Sequence, residues 1–296
     1  MKKSIFQNLL NQSIKRKKLI TNKNFISRLF FNSDMLIQTL ICYFLRKQNS
    51  FFLIKTKTFW GTKMNVVLPE VVSSDIRRFG FIEDSVASFI INFASEGDCL
   101  IDIGAHFGFF SLLMADIVGQ SGSVHSFEPT PSTFLVLKKN IKNKDNVFIN
   151  NNAIWNYATE IEFNDYGLAS SAFNSINESR DKKYYSTHPK EKIKVKALKL
   201  DDYVRGNNIV PQLIKIDAES AEYQVLKGMD YILSKMKPLL CIELGDLGIN
   251  GVISSRKLIE FLMNNYSYKP YEIKDGKLSL HKLKVNYRYT NLFFKK

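Results

Sequence analysis

Four carboxylates and one histidine in this chain lie at the ends of apolar runs, where a buried sheet would deliver them to one place. The first set is Asp102-Ile-Gly104-Ala105-His106-Phe-Gly108. It follows the short apolar run Cys99–Ile103 and precedes a segment of helical period, Phe109 to Val118. Between a strand and a helix, Gly104 permits a tight turn and Gly108 permits close helix–strand packing, so the backbone can approach a bound nucleotide or amino-acid group. Glu128 closes the next apolar run, Ser123 to Phe127, where a carboxylate can accept hydrogen bonds from both hydroxyls of a ribose. The glycine spacing is G-x-x-x-G, without the third glycine of the dinucleotide fingerprint, and no G-K-[ST] follows to make a phosphate loop. The second set is Lys215-Ile-Asp217-Ala-Glu219-Ser-Ala-Glu222. A lysine inside a buried strand is costly unless paired, and Asp217 or Glu219 can neutralise it.

These groups meet only if the strands carrying them lie side by side in one parallel sheet. The pattern supplies such strands: Cys99–Ile103, Ser123–Glu128, Val147–Ile149, Leu213–Asp217 and Leu239–Glu243. Helical segments separate them, at Phe109–Val118, Phe134–Ile141 and Tyr223–Met229. Thr130-Pro131 has the order of a cap followed by a first helical residue. Strand and helix alternating in this way specify an α/β fold with a doubly wound, mostly parallel sheet of Rossmann-like type, whose ligand crevice lies at the carboxyl ends of the strands. Thr159–Phe163 and Ile193–Ala197 alternate polar and apolar residues and read as exposed strands flanking a polar insertion, 164–192, that reads as a loop or lid over the substrate. A helix from Ser255 and a hairpin within 268–289 close the chain, placing the C-terminal helix and hairpin at 254–289.

The ordered set Asp102-Ile-Gly-Ala-His-Phe-Gly108, Phe127-Glu-Pro129, Lys215-Ile-Asp-Ala-Glu219 with Glu222, Val225-Leu-Lys-Gly228 and Ile242-Glu243 resembles the FkbM family of methyltransferases over about residues 97–245. The resemblance implies a class I methyltransferase fold and S-adenosylmethionine as cofactor. It implies a cofactor pocket shaped by Asp102, Gly104, Ala105, His106 and Gly108, with Glu128 and Pro129 at the ribose, Asn152 and Ala153 near the adenine, and Asp217 beside the methyl donor. Asp217, Glu219 and His106 are then the candidate bases for a hydroxyl acceptor. A divalent metal held by Asp217 and Glu219 is an open but unfavoured alternative, and no metal ligands are assigned. The family usually has Asn where this chain has His106 and Gly where it has Ser220; as the residue opening a helix, Ser220 reads as an acceptable cap. His125 reads as a packing residue, and His188 as a residue of the polar insertion, with contact to substrate the lesser alternative. The acceptor implied is a hydroxyl of a sugar, glycan precursor or other small molecule. A nucleic-acid methyltransferase and a non-catalytic cofactor-binding relative are the alternatives.

Charge bears on those alternatives. The chain of 296 residues carries a formal net charge of +14. Residues 1–63 hold 13 Lys/Arg against the single acid Asp34, and residues 64–296 hold 29 against 27. The basic character belongs to the N-terminal segment and not to the catalytic region, which argues against nucleic acid as the acceptor. Residues 1–63 therefore read as a basic, partly helical extension and 64–296 as the methyltransferase domain. The extension packs on that domain, rests on an anionic membrane or is a partly disordered arm. The longest apolar stretch there, Asp34 to Leu45, is 12 residues, too short to span a bilayer. Cys42, Cys99 and Cys241 form no C-x-x-C pair and read as reduced, buried thiols. These features together indicate a cytoplasmic enzyme, with peripheral membrane contact as the alternative; the oligomeric state is left open.

Overall fold

A computed structural model describes all residues except 1, 22–32, 49, 177–190, 247–250 and 275–276, with no side-chain description for 33–35. Two helices open it, α1 (Lys2–Thr21) and α2 (Ser33–Lys47), followed by a hairpin of β1 (Phe52–Lys57) and β2 (Lys63–Leu68). This hairpin straddles position 63/64. Two helices then precede the sheet: α3 (Val71–Phe79) and α4 (Asp84–Phe93).

The alternating core comprises β3 (Cys99–Ile103), α5 (Phe109–Val118), β4 (Ser123–Phe127), α6 (Pro131–Ile141) and β5 (Val147–Asn150). A side sheet follows, formed by β6 (Ala153–Ile154), β7 (Thr159–Asp165) and β8 (Glu191–Leu198) in the order β6-β8-β7. The chain then re-enters the main sheet through α7 (Leu200–Gly206), β9 (Leu213–Ile216), α8 (Glu222–Lys227) and β10 (Leu239–Leu244). It ends with α9 (Ser255–Tyr266), β11 (Lys269–Lys274), β12 (Lys277–Leu280) and β13 (Thr290–Lys295).

The eight-stranded sheet has the order β12-β11-β13-β10-β9-β3-β4-β5. Strands β5, β4, β3, β9 and β10 are parallel, and β13 joins antiparallel to β10. The chain starts at β3, moves outward to β4 and β5, then returns to the other side of β3 with β9. That reversal opens a crevice above the carboxyl ends of β3, β4 and β9. The sequence pattern anticipates the hairpin β11–β12, whereas β13, which wedges between β10 and β11, lies beyond the range expected for it. Its apolar Leu292, Phe293 and Phe294 are all buried and pay no heed to strict alternation, as a strand covered on both faces allows.

Alternate residues of the central strands face two separate cores. Leu100, Leu213 and Cys241 point to the side covered by α4, α5 and α6, where Ile90, Leu113 and Leu137 are buried. Ile101, Ile103, Ile214, Ile216 and Ile242 point to the side covered by α7, α8 and α9. Asp102 and Lys215 share the register of Leu100 and Leu213, two residues on, and pair across β3 and β9. The same alternation that fills the core thus delivers both charged groups to the floor of the crevice. From α1, Phe6 and Leu10 are buried in the core on the side of the molecule covered by α4 and α5.

Candidate active site

The turn after β3 is held by its neighbours on both sides. The amides of Gly104 and Ala105 donate to the carbonyl of Phe127 at the end of β4, at 3.0 and 2.9 Å, and the amide of Asp217 donates to Ile103 at 3.1 Å. Gly104 has φ +74°, and a Cβ there would collide with the carbonyl oxygen of Asp217. Glycine is required by both conformation and space. Gly108, at φ +88°, caps α5; a Cβ on it would come within 2.6 Å of Leu137, so its close approach is to α6 and not to the strand.

Glu128 ends β4 with its carboxylate turned into the turn: it accepts from the amide of His106 at 2.9 Å and from that of Thr130 at 3.0 Å. Burial pushes its pKa up to about 7 against the lowering effect of those two hydrogen bonds. The Thr130 side chain is a third hydrogen-bond partner of this carboxylate, which lines the cavity.

Lys215 is the one buried cation of the crevice floor among the described residues. Its Nζ lies 3.0 Å from Asp217 and 3.7 Å from Asp102, and 5.1 Å from the centre of the Phe110 ring. Burial alone would lower its pKa, and the carboxylates of Asp217, Asp102 and Glu83 more than reverse this, so the ammonium is held charged. Its partners are thus Asp217 and Asp102, and not Glu219. Asp102 is fully buried and also accepts from Ser111 Oγ at 2.6 Å. Its carboxylate is a structural member beneath the floor.

A cavity of about 330 Å³ opens above this floor. Gly104, Ala105, His106, Glu128, Pro129, Asn152, Ala153, Asp217 and Glu219 all line it, whereas Asp102 and Gly108 stand behind its wall. His106 has φ +50° and its Nε2 lies 2.7 Å from Ser171 Oγ. Burial lowers its pKa to about 4, so the ring is neutral at physiological pH. Ser171 belongs to a 3-10 turn, Leu168–Phe173, that folds over the cavity from the polar insertion, and Asn174 anchors that turn through the amide of Tyr166 at 2.7 Å. Residues 177–190 of the insertion, His188 included, lie outside the described residues.

Glu219 and Ser220 have φ of +49° and +78°. The cap of α8 is Ala221, and Ser220 serves as no cap; Glu222 instead ties this turn, accepting from the amides of Ala218 and Ser220 at 3.0 and 3.1 Å. His125 stacks on Phe148 and bonds Tyr203 through Nδ1 at 2.9 Å, and is not among the residues lining the cavity.

Glu83 and Tyr289 were not singled out by sequence pattern, and Glu243 was read only as a strand end within the family resemblance. Glu83 comes from the turn before α4, Glu243 from β10 and Tyr289 from the approach to β13. Glu83, Asp217 and Glu243 bring carboxylate oxygens within 4.8 Å of one another. Lys215 already supplies positive charge at this point, and Glu219 is not part of the group. The arrangement surrounds an internal ammonium, and the pair Asp217 and Glu219 of the unfavoured metal alternative is not the pair that converges here.

The residues fit a nucleoside cofactor: a glycine turn that a Cβ would fill, with an acid at the adjoining strand end. The family model "Methyltransferase FkbM domain" matches residues 102–270, more than half of the chain. The hexuronic acid methyltransferase AglP of Haloferax volcanii is 28% identical over 158 residues, 52% of this chain. The chain spans only 59% of that relative's length. Among solved structures, methyltransferase FkbM of Methylobacillus flagellatus KT has a TM-score of 0.44 at 14% identity, covering 69% of this chain and 44% of that one. The S-adenosylmethionine-dependent O-methyltransferase of Thermotoga maritima has a TM-score of 0.41 at 13% identity, covering 82% of this chain and 77% of that one.

Proposed function

The chain belongs to the FkbM methyltransferase family, and we propose that it uses S-adenosylmethionine to methylate a hydroxyl of a sugar or glycan precursor. The observation that carries this reading is the position of Glu128: its carboxylate stands at the end of β4, beside the turn that Gly104 makes possible. In this reading Glu128 receives the ribose hydroxyls, Asn152 and Ala153 flank the adenine, and Gly104, Ala105 and Asp217 hold the amino-acid end. The cofactor supplies a methyl made electrophilic by a sulfonium.

The protein's own task is to bind, orient and exclude water. Lys215 fixes the Asp217 carboxylate beneath the site, and Phe110 shields that pair. The turn Leu168–Phe173 covers the cavity and restrains His106 through Ser171. Neutral His106 is a weak base at pKa about 4, which favours a carboxylate over it as proton acceptor. The sugar class is supported by the relative named a hexuronic acid methyltransferase. Radiolabelled methyl transfer to glucose, N-acetylglucosamine and glucuronic acid tests the reading; no transfer above background to any of them contradicts it.

A second proposal concerns the N-terminal segment, which we read as contacting an anionic membrane surface. No described helix is long and apolar enough to cross a membrane. Helix α2 packs Cys42 and Leu45 against Leu68 but leaves Ile37, Leu40, Tyr43 and Phe44 exposed, and Phe51 and Phe52 beside them are exposed as well. Exposed apolar groups within a segment of 13 basic residues and one acid match the chemistry of an anionic interface. Sedimentation with vesicles of phosphatidylcholine, with and without phosphatidylglycerol, should show binding only to the anionic vesicles, lost in L40S/F44S. Equal recovery in the supernatant of both, or self-association through this face, overturns it.

A further inference from the structure

Glu83 lies outside the segment matched by the family model, yet its side chain enters the cavity. It stands in the left-handed region at φ +43°, strained for a glutamate, as the residue before α4. It makes no capping hydrogen bond to that helix. Its carboxylate is instead turned to the sheet, where Oε2 accepts from Asn291 Nδ2 of β13 at 3.0 Å. A backbone held in an unfavourable conformation, with the side chain aimed away from the obvious local partner, points to a role in the cavity.

We infer that Glu83 is the proton acceptor for the acceptor hydroxyl, delivered to the site by the α3–α4 turn. This deepens, and depends on, the reading of the protein as a hydroxyl methyltransferase. As the hydroxyl oxygen forms its bond to the methyl carbon, the proton on that oxygen passes to Glu83. The electron pair of the broken carbon–sulfur bond stays on sulfur, so charge and atoms balance.

The groups facing Glu83 decide which carboxylate is free for the task. From β9 come Asp217 and Lys215, from β3 Asp102, from β10 Glu243 and from β13 Asn291. Asp217 is committed to Lys215 at 3.0 Å, and Asp102 lies buried beneath it. Glu83 lines the cavity with only an amide donor in direct contact at one oxygen. Burial, reinforced by repulsion from Asp217 and opposed by Lys215, raises its pKa to about 7, close to the pH at which a general base is most effective.

The test compares wild type with Glu83→Gln, which preserves size and an acceptor for Asn291, and with Glu83→Asp. S-adenosylmethionine affinity is measured by calorimetry, and carboxyl titration of the protein without added ligand by difference infrared spectroscopy. Methyl transfer at saturating cofactor is then followed from pH 5.5 to 9 with glucose, N-acetylglucosamine and glucuronic acid. Glu83→Gln should bind the cofactor within about threefold of wild type, lose one of the carboxyls that titrate near 7 while those of Glu128 and Glu70 remain, and transfer methyl at least ~100-fold more slowly without the rise near neutrality. Glu83→Asp should keep part of the activity. Activity within threefold of wild type in Glu83→Gln overturns the assignment. So does a matching loss of cofactor affinity, which would make Glu83 a cofactor ligand. Absence of transfer by wild type to all three sugars refutes the sugar-hydroxyl reading and takes this assignment with it.

Discussion

The carbonyl oxygen of Asp217 occupies the space that a side chain at Gly104 would need, so the turn after β3 and the end of β9 fit only around a glycine. Gly104→Ala would have to part these two strand ends at the cofactor turn, in a conformation already unfavourable for alanine. The variant should be destabilised by more than about 2 kcal/mol and should lose cofactor binding. Thermal melting with and without S-adenosylmethionine checks both; a fully stable variant that binds normally would show the contact to be avoidable.

Ser220 supports the opposite experiment. Its φ of +78° costs a side-chain-bearing residue roughly 1–2 kcal/mol. Ser220→Gly should raise stability by about 1 kcal/mol, a melting-point increase of roughly 2–4 °C for a chain of this size. An unchanged or lower melting temperature would mean that the serine side chain offsets its own strain.

His106 makes stability depend on acid. Burial holds its folded pKa at about 4, below the unfolded value near 6.5, so the unfolded chain takes up the proton first as pH falls. The contribution is complete above about pH 6.5 and is lost as pH drops toward 4. Asn tolerates the left-handed backbone at this position and does not titrate. The melting temperature of His106→Asn relative to wild type should therefore rise as pH is lowered from 7 to 4.5, with a difference of at most about 3 kcal/mol. A pH-independent difference would show that His106 is solvated in the folded state.

Lys215→Met leaves Asp102 and Asp217 without their shared cation. Removing one partner from a buried ionic group costs roughly 3–5 kcal/mol. Denaturant titration should show a loss of that order, restored in part by the additional change Asp102→Asn. A loss under about 1 kcal/mol would contradict the pairing.

How much of this was legible in the sequence differs by element. Strands β3, β4, β9 and β10 announce themselves as apolar runs bounded by glycine, proline or acid, because a central parallel strand is buried on both faces, and the edge strand β5 shows as a shorter apolar run with Phe148 exposed. Glu128 and Asp217 follow from their place at strand ends. Lys215 was visible as an anomaly, but its pairing with Asp102 depends on the adjacency of β3 and β9, 113 residues apart in the case of their Asp102–Lys215 register. Glu83 and Tyr289 gave no local signal, since each reaches the site from an element whose placement only the tertiary fold defines; Glu243 was visible at the end of its strand, but not its approach to Glu83 and Asp217. The left-handed turn at Glu83 is not encoded by glycine or asparagine, and that absence hid it. Ser220 misled for the same reason: a serine before a helix suggests a cap, and only its φ shows otherwise.

The central claim is that Glu128 and the Gly104 turn hold S-adenosylmethionine, and calorimetric titration of that compound into wild type and Glu128→Ala tests it most directly. S-adenosylmethionine and S-adenosylhomocysteine should both bind wild type, and Glu128→Ala should bind at least ~10-fold more weakly, a loss of about 1.4 kcal/mol or more, as expected when a charged acceptor of hydroxyls is removed. Because burial raises the pKa of Glu128 to about 7, wild-type affinity should also weaken as pH falls below 7, and that dependence should vanish in the variant. No binding to wild type, or equal affinity in the two proteins, would contradict the account.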